Sequence, residues 1–249
     1  MIIYFSATGN SRHVAETIAS RTSDTAMSMQ EEEACTLNIA KGEPLGIVSP
    51  TYAWGIPDFV EKFLKELSLS ADSKTYIYFV ATYGVTPGNS AHFAEKALRA
   101  GTGRQFDACF GVKMPDTWTP IFNLSNPEKV SRIIGRVNPQ ITEIIEKINS
   151  RKSGNFMRHR VPGFTAVFYR PIYGLIRQTV FLRAEQTCIG CGLCASNCPD
   201  KAIEMRDGRP VWVKRTCTMC LGCLHRCPKF AIQYLFLTKR HGQYRFPTK

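Results

Sequence analysis

Residues Cys188–Pro228 read CIGCGLCASNCPDKAIEMRDGRPVWVKRTCTMCLGCLHRCP. The pattern C-x2-C-x2-C-x3-C-P occurs twice, and eighteen residues separate Cys198 from Cys217. A cubane iron–sulfur cluster needs four thiolates converging on one small body. Two-residue gaps let three successive sulfurs wrap that body while backbone N–H groups turn inward to its sulfides. Zinc sites use pairs of C-x2-C, and a third cysteine at the same gap has no place in a tetrahedral shell. Disulfides belong to oxidising compartments, and the start MIIYFSATGN lacks the basic residues and long apolar core of a signal peptide. The stretch therefore predicts two 4Fe–4S clusters with Cys188, Cys191, Cys194, Cys198, Cys217, Cys220, Cys223 and Cys227 as metal ligands.

The two halves repeat internally. Ala202-Ile203 and Ala231-Ile232 follow the fourth cysteine of each half at the same distance, where small apolar residues would keep water off a cluster. Between them, AIEMRDGRPVWV predicts a hairpin turning at Asp207-Gly208. Over about fifty residues the stretch resembles the bacterial two-cluster ferredoxins. That resemblance implies crossed ligation: Cys188, Cys191 and Cys194 share one cluster with Cys227, and Cys217, Cys220 and Cys223 share the other with Cys198.

The chain has 249 residues and a net charge of +12. The charge is unevenly spread: residues 1–150 carry −2 and residues 151–249 carry +14. Clusters with four thiolates are themselves anionic, which offsets part of the excess. Two of the ten cysteines lie outside the motifs. Cys109 sits in an apolar run and reads as a buried small hydrophobe; Cys35 follows three glutamates and reads as an idle surface thiol. Thiolates that assemble clusters need a reducing environment, so the expected location is the cytoplasm.

The N-terminal half alternates strand-like and helix-like stretches. MIIYFS is a short buried strand, followed by the hydroxyl-rich turn Ser6–Ser11 and a helix through Ser20. Such a turn at a helix N-terminus suits an anion, because free N–H groups, the helix dipole and the hydroxyls all donate toward it. It is neither a Walker A loop nor a dinucleotide fingerprint, since it has a single glycine and no lysine. Strands are expected at Thr25–Met29, Pro44–Pro50, Lys74–Thr82 and Phe106–Met114. Helices are expected at Asp58–Leu67, Ala91–Ala100 and Pro127–Arg151, the last kinked at Pro139. This alternation predicts an α/β fold with a doubly wound five-stranded parallel sheet, followed by a small α+β domain for the clusters.

SATGNS after the first strand, TYAWG after the third and TYG after the fourth resemble the three flavin-contacting loops of the flavodoxin family. The resemblance spans about residues 1–150 and implies FMN. It assigns Ser6, Thr8, Gly9, Asn10 and Ser11 to the phosphate. It places Thr51, Tyr52, Ala53, Trp54 and Gly55 on one side of the isoalloxazine ring, and Thr82, Tyr83 and Gly84 on the other. Trp54 is the natural stacking partner. His13 reads as a solvated helix residue, and Trp118 either closes over the flavin or packs its own loop.

The segment Phe156–Leu182 is rich in aromatics and arginines but has no apolar run long enough to span a bilayer. A helix over Pro171–Arg183 would either pack between the domains or lie on a membrane surface. Phe181–Ala184 is expected to pair with Ala231–Tyr234. The predicted organisation is thus a flavodoxin-like domain over residues 1–152, a basic aromatic segment over 153–184, a two-cluster domain over 185–235 and a basic tail over 236–249. The whole chain resembles the flavodoxin–ferredoxin fusion proteins of anaerobic bacteria and archaea. That implies an oxidoreductase-type electron carrier linking two clusters and FMN. The alternative is a flavin-dependent reductase that acts directly on a quinone or another electrophile; no catalytic acid–base constellation is legible. The basic C-terminal half points to an acidic redox protein or an anionic membrane surface as partner, and a nucleic-acid role rests on charge alone.

Overall fold

The computed structural model describes residues 1–31, 36–157 and 166–247, with the backbone alone for 166–170. Its first part alternates β1 (Ile2–Tyr4), α1 (Asn10–Thr22), β2 (Ala26–Ser28), β3 (Thr36–Asn38), β4 (Leu45–Pro50), α2 (Asp58–Glu66), β5 (Ser68–Ser70), β6 (Ile77–Tyr83), α3 (Ser90–Thr102) and β7 (Ala108–Lys113). It continues with α4 (Pro127–Ile134), α5 (Val137–Asn149) and β8 (Gly154–Asn155). The main sheet runs β2-β1-β4-β6-β7-β8 with every pairing parallel, while β3 and β5 form a separate parallel pair. Period-two alternation sorts its residues. Ile3, Ile47 and Phe79 point to the side covered by α2 and α3; Ile2, Val48 and Tyr78 point to the side covered by α1 and α5. Both faces are buried, which is why these strands read as unbroken apolar runs.

The sheet has six strands, not the expected five. Gly154–Asn155 adds a two-residue edge strand to β7, and Phe156 then stacks on Phe110 with ring centroids 5.4 Å apart. Residues just beyond 152 therefore belong to the first sheet. The expected kink at Pro139 is also displaced. The break falls at Gly135-Arg136, and Pro139 occupies the first turn of α5, where a missing N–H costs no hydrogen bond.

The second part holds α6 (Ala166–Ile176), β9 (Leu182–Ala184), α7 (Leu193–Ser196), β10 (Ile203–Arg206), β11 (Arg209–Trp212), α8 (Gly222–His225), β12 (Ile232–Tyr234) and α9 (Thr238–His241). The helix expected at Pro171–Arg183 starts earlier, contains Pro171 and stops at Ile176; a single 3-10 turn follows at Thr179–Phe181. β9 and β12 pair antiparallel with Leu182 opposite Tyr234. The β10–β11 hairpin turns at Asp207-Gly208, both at positive φ. Leu182, Met219, Leu221, Leu224, Ile232 and Tyr234 make its small core. Cys109 is buried, and burial pushes its thiol up to about 12. Cys35 lies outside the described residues.

Helices α2 and α3 approach closely at Gly101, where an added Cβ would overlap the Leu64 carbonyl oxygen and crowd the Lys65 carbonyl oxygen. Ala for Gly in a helix ordinarily stabilises by about 1 kcal/mol. At Gly101 the overlap should outweigh that gain, since overpacking costs about 1–3 kcal/mol. Gly101→Ala should therefore lower the thermal midpoint followed by far-ultraviolet circular dichroism. An unchanged or raised midpoint would show that α2 and α3 are not this close.

Candidate functional site

Cys198, Cys217, Cys220 and Cys223 line one cavity, walled by Leu182, Ala202, Ile203, Met219 and Leu221. Three of these thiols come from one half of the repeat and the fourth from the other, so the lining mixes the halves as the crossed scheme requires. Backbone amides point at the sulfurs. Ala202 N donates to Cys198 Sγ and Ala231 N donates to Cys227 Sγ, each at 3.3 Å, and Met219 N donates to Cys217 Sγ at 3.3 Å. The first two are equivalent positions of the repeat. Burial pushes the Cys217 and Cys220 thiols up to about 12 and the Cys223 thiol well above its usual range. Thiolates formed there would need a compensating cation, and cluster iron would supply that charge. The donor set fits a cubane. Cys191 is exposed, and Cys188 and Cys194 are half-buried like the other ligands.

The loops at the C-terminal ends of β1, β4 and β6 lie together, at the point where the strand order reverses. In the first loop Gly9 has φ +98 and precedes α1; its N–H donates to Ser6 Oγ at 3.1 Å. Ser11 Oγ and Thr82 Oγ1 share a 2.8 Å hydrogen bond, tying the first loop to the third. Both Asn10 side-chain atoms serve the protein: Nδ2 donates to Pro115 O at 3.1 Å, and Oδ1 accepts from Tyr244 Oη at 2.9 Å. In the second loop, paired Tyr52–Gly55 backbone bonds of 3.0 and 2.9 Å close a tight turn. They hold Ala53 and Trp54 at φ 45 and 71, a left-handed conformation costly for residues with a Cβ. That turn presents Trp54 outward, 41% exposed. Asn89 N donates to Trp54 O at 2.7 Å, and any side chain at Gly88 would overlap that oxygen.

The hydroxyls of Thr51, at the second loop, and Ser90, just beyond the third, are buried without a hydrogen-bond partner. Buried polar groups are rarely left unpaired. Two of the four unpartnered buried hydroxyls among the described residues thus lie at the second and third loops, and with the left-handed glycine of the first they fit a polar ligand spread across these loops, as FMN would be. Asp116 packs against Gly84, and burial raises its carboxyl above the usual range.

The two cofactor regions abut. Cys220 packs on the apolar core of the first sheet together with Tyr52. Burial raises the Tyr52 phenol strongly and the neighbouring Cys220 sulfur adds to the effect. A Cβ on Gly222 would lie 3.7 Å from Ala7 Cβ. Arg226 Nη2 donates to Ser6 O at 3.1 Å and Nη1 to Asn197 Oδ1 at 2.8 Å, so this arginine is a brace between domains. Arg177 forms an ion pair with Asp58, and its Nε donates to Cys217 O at 2.9 Å.

The last segment is a clasp, not a free tail. Gln243 Nε2 donates to Leu224 O and Cys227 O at 2.7 and 2.8 Å. Tyr244 N donates to His225 Nδ1 at 3.1 Å, which leaves His225 Nε2 as the donor to Thr117 O at 2.9 Å. Burial keeps this imidazole neutral, its pKa lowered to about 4. Phe246 N donates to Thr8 O at 2.8 Å, its backbone packs on Gly9, and its ring stacks on His13 with centroids 4.1 Å apart. His13 is therefore packed, not simply solvated. Trp118 packs edge-on against Tyr234 at 5.5 Å, so it anchors its loop to the second domain. Sequence patterns carried no sign of the clasp, because Tyr244 and Asn10 are 234 residues apart.

Residues 1–137, more than half of the chain, match the family model described as flavodoxin domain, and residues 181–228 match that described as 4Fe-4S dicluster domain. An uncharacterized polyferredoxin-like protein of Methanocaldococcus jannaschii is 41% identical over 61 residues, covering 19% of this chain and 36% of that protein. The chain thus spans about a third of that relative. Among solved structures, rubredoxin oxygen:oxidoreductase from the anaerobe Desulfovibrio gigas aligns at 15% identity and TM-score 0.37, covering 60% of this chain and 36% of that one. A short-chain flavodoxin associated with a non-canonical PDU bacterial microcompartment aligns at 12% identity and TM-score 0.33, covering 57% and 95%.

Two outcomes test the site. Cys198→Ala should remove the cluster held by Cys217, Cys220 and Cys223, leaving about four of eight irons. Loss instead of the Cys188–Cys194 cluster would refute crossed ligation. Tyr244→Phe leaves Asn10 Oδ1 buried without its donor, a loss of about 1–3 kcal/mol. FMN titrated by fluorescence quenching should then bind roughly tenfold more weakly, the factor that 1.4 kcal/mol corresponds to. Unchanged affinity would mean that the clasp does not order the phosphate loop.

Proposed function

Because the chain belongs to the flavodoxin domain family and carries a 4Fe-4S dicluster domain, we propose that it relays electrons between an external redox protein and FMN through its two clusters in series. Its cofactors are FMN and two 4Fe–4S clusters, and it is an electron-transfer flavo-iron–sulfur protein. When bound, the clusters pass electrons one at a time and FMN takes them singly or in pairs.

The single observation that carries the serial order is the unequal placement of the two cysteine sets. Cys220 lies in the junction beside Tyr52, whereas Cys191 is exposed. The Cys188 set therefore faces a partner and the Cys217 set faces the flavin loops. The chain's own residues hold this order. Arg226 and Gly222 press the second cluster loop onto Ser6 and Ala7; Arg177 ties it to Asp58; Ala202, Met219 and Leu221 wall the cavity that the second set lines. Trp54 would cover one side of the FMN ring, together with Thr51, Tyr52, Ala53 and Gly55, and Thr82, Tyr83 and Gly84 would bound the other. Ser6, Thr8, Gly9, Asn10 and Ser11 shape the phosphate end.

Lys201, Lys214, Arg215 and Lys229 are exposed around the cluster domain and would steer an acidic redox protein. Arg226 is spent on the junction and is no part of that surface. Direct reduction of a small electrophile is a second reading, favoured by the exposure of Trp54.

The relay is tested by removing one cluster at a time. Cys191→Ala should slow flavin reduction by an acidic carrier protein by about tenfold or more, with FMN affinity unchanged. Cys220→Ala should leave the outer cluster reducible by the same carrier while the flavin stays oxidised on that timescale. If the flavin is reduced at the wild-type rate in both variants, electrons reach it directly and the serial order is wrong.

A further inference from the structure

Helix α6 is clamped on one side only. Tyr173 is buried with its Oη donating to Thr218 O at 2.7 Å, and Arg177, one turn later on the same face, is paired with Asp58. Leu175 lies on the opposite face, 73% exposed, and Ile172 on the flank beside it is exposed too. Two turns continue this surface. Val180 in the Thr179–Phe181 turn is 80% exposed, and Phe236 between Leu235 and Leu237 is 71% exposed. The three segments abut: Tyr234 Oη donates to Ile176 O at 3.1 Å and Leu235 N to Phe181 O at 2.8 Å. Leu235 sits at φ 51, which turns the chain so that Leu235, Phe236 and Leu237 are all exposed.

The surrounding charge is predominantly positive. Thr179 bonds to the carbonyls of Lys214 and Arg215, which brings both exposed cations beside Val180. Arg183 is exposed on β9, and Lys239 and Arg240 follow the Leu235–Leu237 turn. The nearby carboxylates are already used: Glu185 pairs with Lys239 and Asp58 with Arg177. Contiguous exposed apolar groups on a monomer mark an interaction site. These stand on a helix edge and two turns, not in a groove. Protruding apolar tips inside a cationic rim match a deformable layer of acyl chains under anionic headgroups, whereas a rigid protein would need a pocket for each tip.

We infer that the face formed by α6, the Thr179–Phe181 turn and the Leu235–Leu237 turn docks on an anionic lipid bilayer surface without crossing it. No helix among the described residues is long and apolar enough to cross one. The inference does not rest on the relay: its apolar tips are neither cluster ligands nor flavin-loop residues, although Tyr173 and Arg177 on the clamped side of α6 hold the Thr218 and Cys217 carbonyls.

The test is co-sedimentation of the holoprotein with vesicles of phosphatidylcholine alone or mixed with phosphatidylglycerol. Binding to the anionic vesicles is expected at low salt, falling as salt rises, with little binding to neutral ones. The double variant Val180→Ser/Phe236→Ser keeps every charge and should bind anionic vesicles about tenfold more weakly or worse, because it removes apolar area that the bilayer would bury. Iron content and flavin fluorescence, expected unchanged, report that it is folded. Absence of vesicle binding overturns the inference. So does a serine variant that binds like the wild type, which would mean charge alone. So does a serine variant that binds vesicles normally but is reduced slowly by a soluble acidic carrier, which would make the face a protein dock.

Discussion

The structure depends on the contact between one cluster loop and the flavin loops of the sheet. Cys220 and Gly222 reach Tyr52 and Ala7 because Arg226 holds Ser6 O, Arg177 holds Asp58, and the C-terminal clasp holds Thr8 and Asn10. Each bond alone is modest, and together they join the phosphate loop, the buried cluster loop and the last residues into one body. Separating them leaves the buried Asn10 amide and several part-buried groups without partners, which makes the junction costly to open. Electron transfer between cofactors on different domains requires that fixed closeness. The sequence places the ligands, and the junction places the ligand sets relative to each other.

Strain is concentrated where the ring is expected. Ala53 and Trp54 both adopt left-handed backbone in a turn with no glycine at its centre. Gly88 and Asn89 brace that turn from the third loop, so the strained Trp54 backbone has one available position. Non-glycine residues held this way tend to mark functional sites, and here they present the exposed tryptophan. Three features mark the loops at this end of the sheet: the strained turn, the unpartnered hydroxyls of Thr51 and Ser90, and the left-handed Gly9. A polar planar ligand accounts for them together.

How far the sequence could be read follows from the range of each constraint. The cluster motifs are short-range: a loop that wraps a cubane must space its cysteines closely, and the spacing is visible in one line of text. The buried strands are legible because both faces are covered, and the Asp207-Gly208 turn because its conformation selects those residues. The edge strand Gly154–Asn155 was hidden, since two residues without an apolar side chain carry no period. The break at Gly135 was misplaced because proline signals a helix start as readily as a kink. The clasp was illegible for a deeper reason: Tyr244, Phe246 and Arg226 meet loops more than 200 residues away, and no local pattern announces such a contact. The same holds for α6, whose sequence allowed either packing or surface exposure, and whose structure shows one face doing each.

The most direct measurement of the docked junction is the rate of flavin reduction after the clusters of the holoprotein are rapidly photoreduced, followed at several protein concentrations and solvent viscosities. A rate independent of both is predicted, because Cys220 already lies beside the flavin loops and no domain motion is needed. A rate that rises with protein concentration, or falls in proportion to viscosity, would contradict the account by showing that the clusters must travel to reach the flavin.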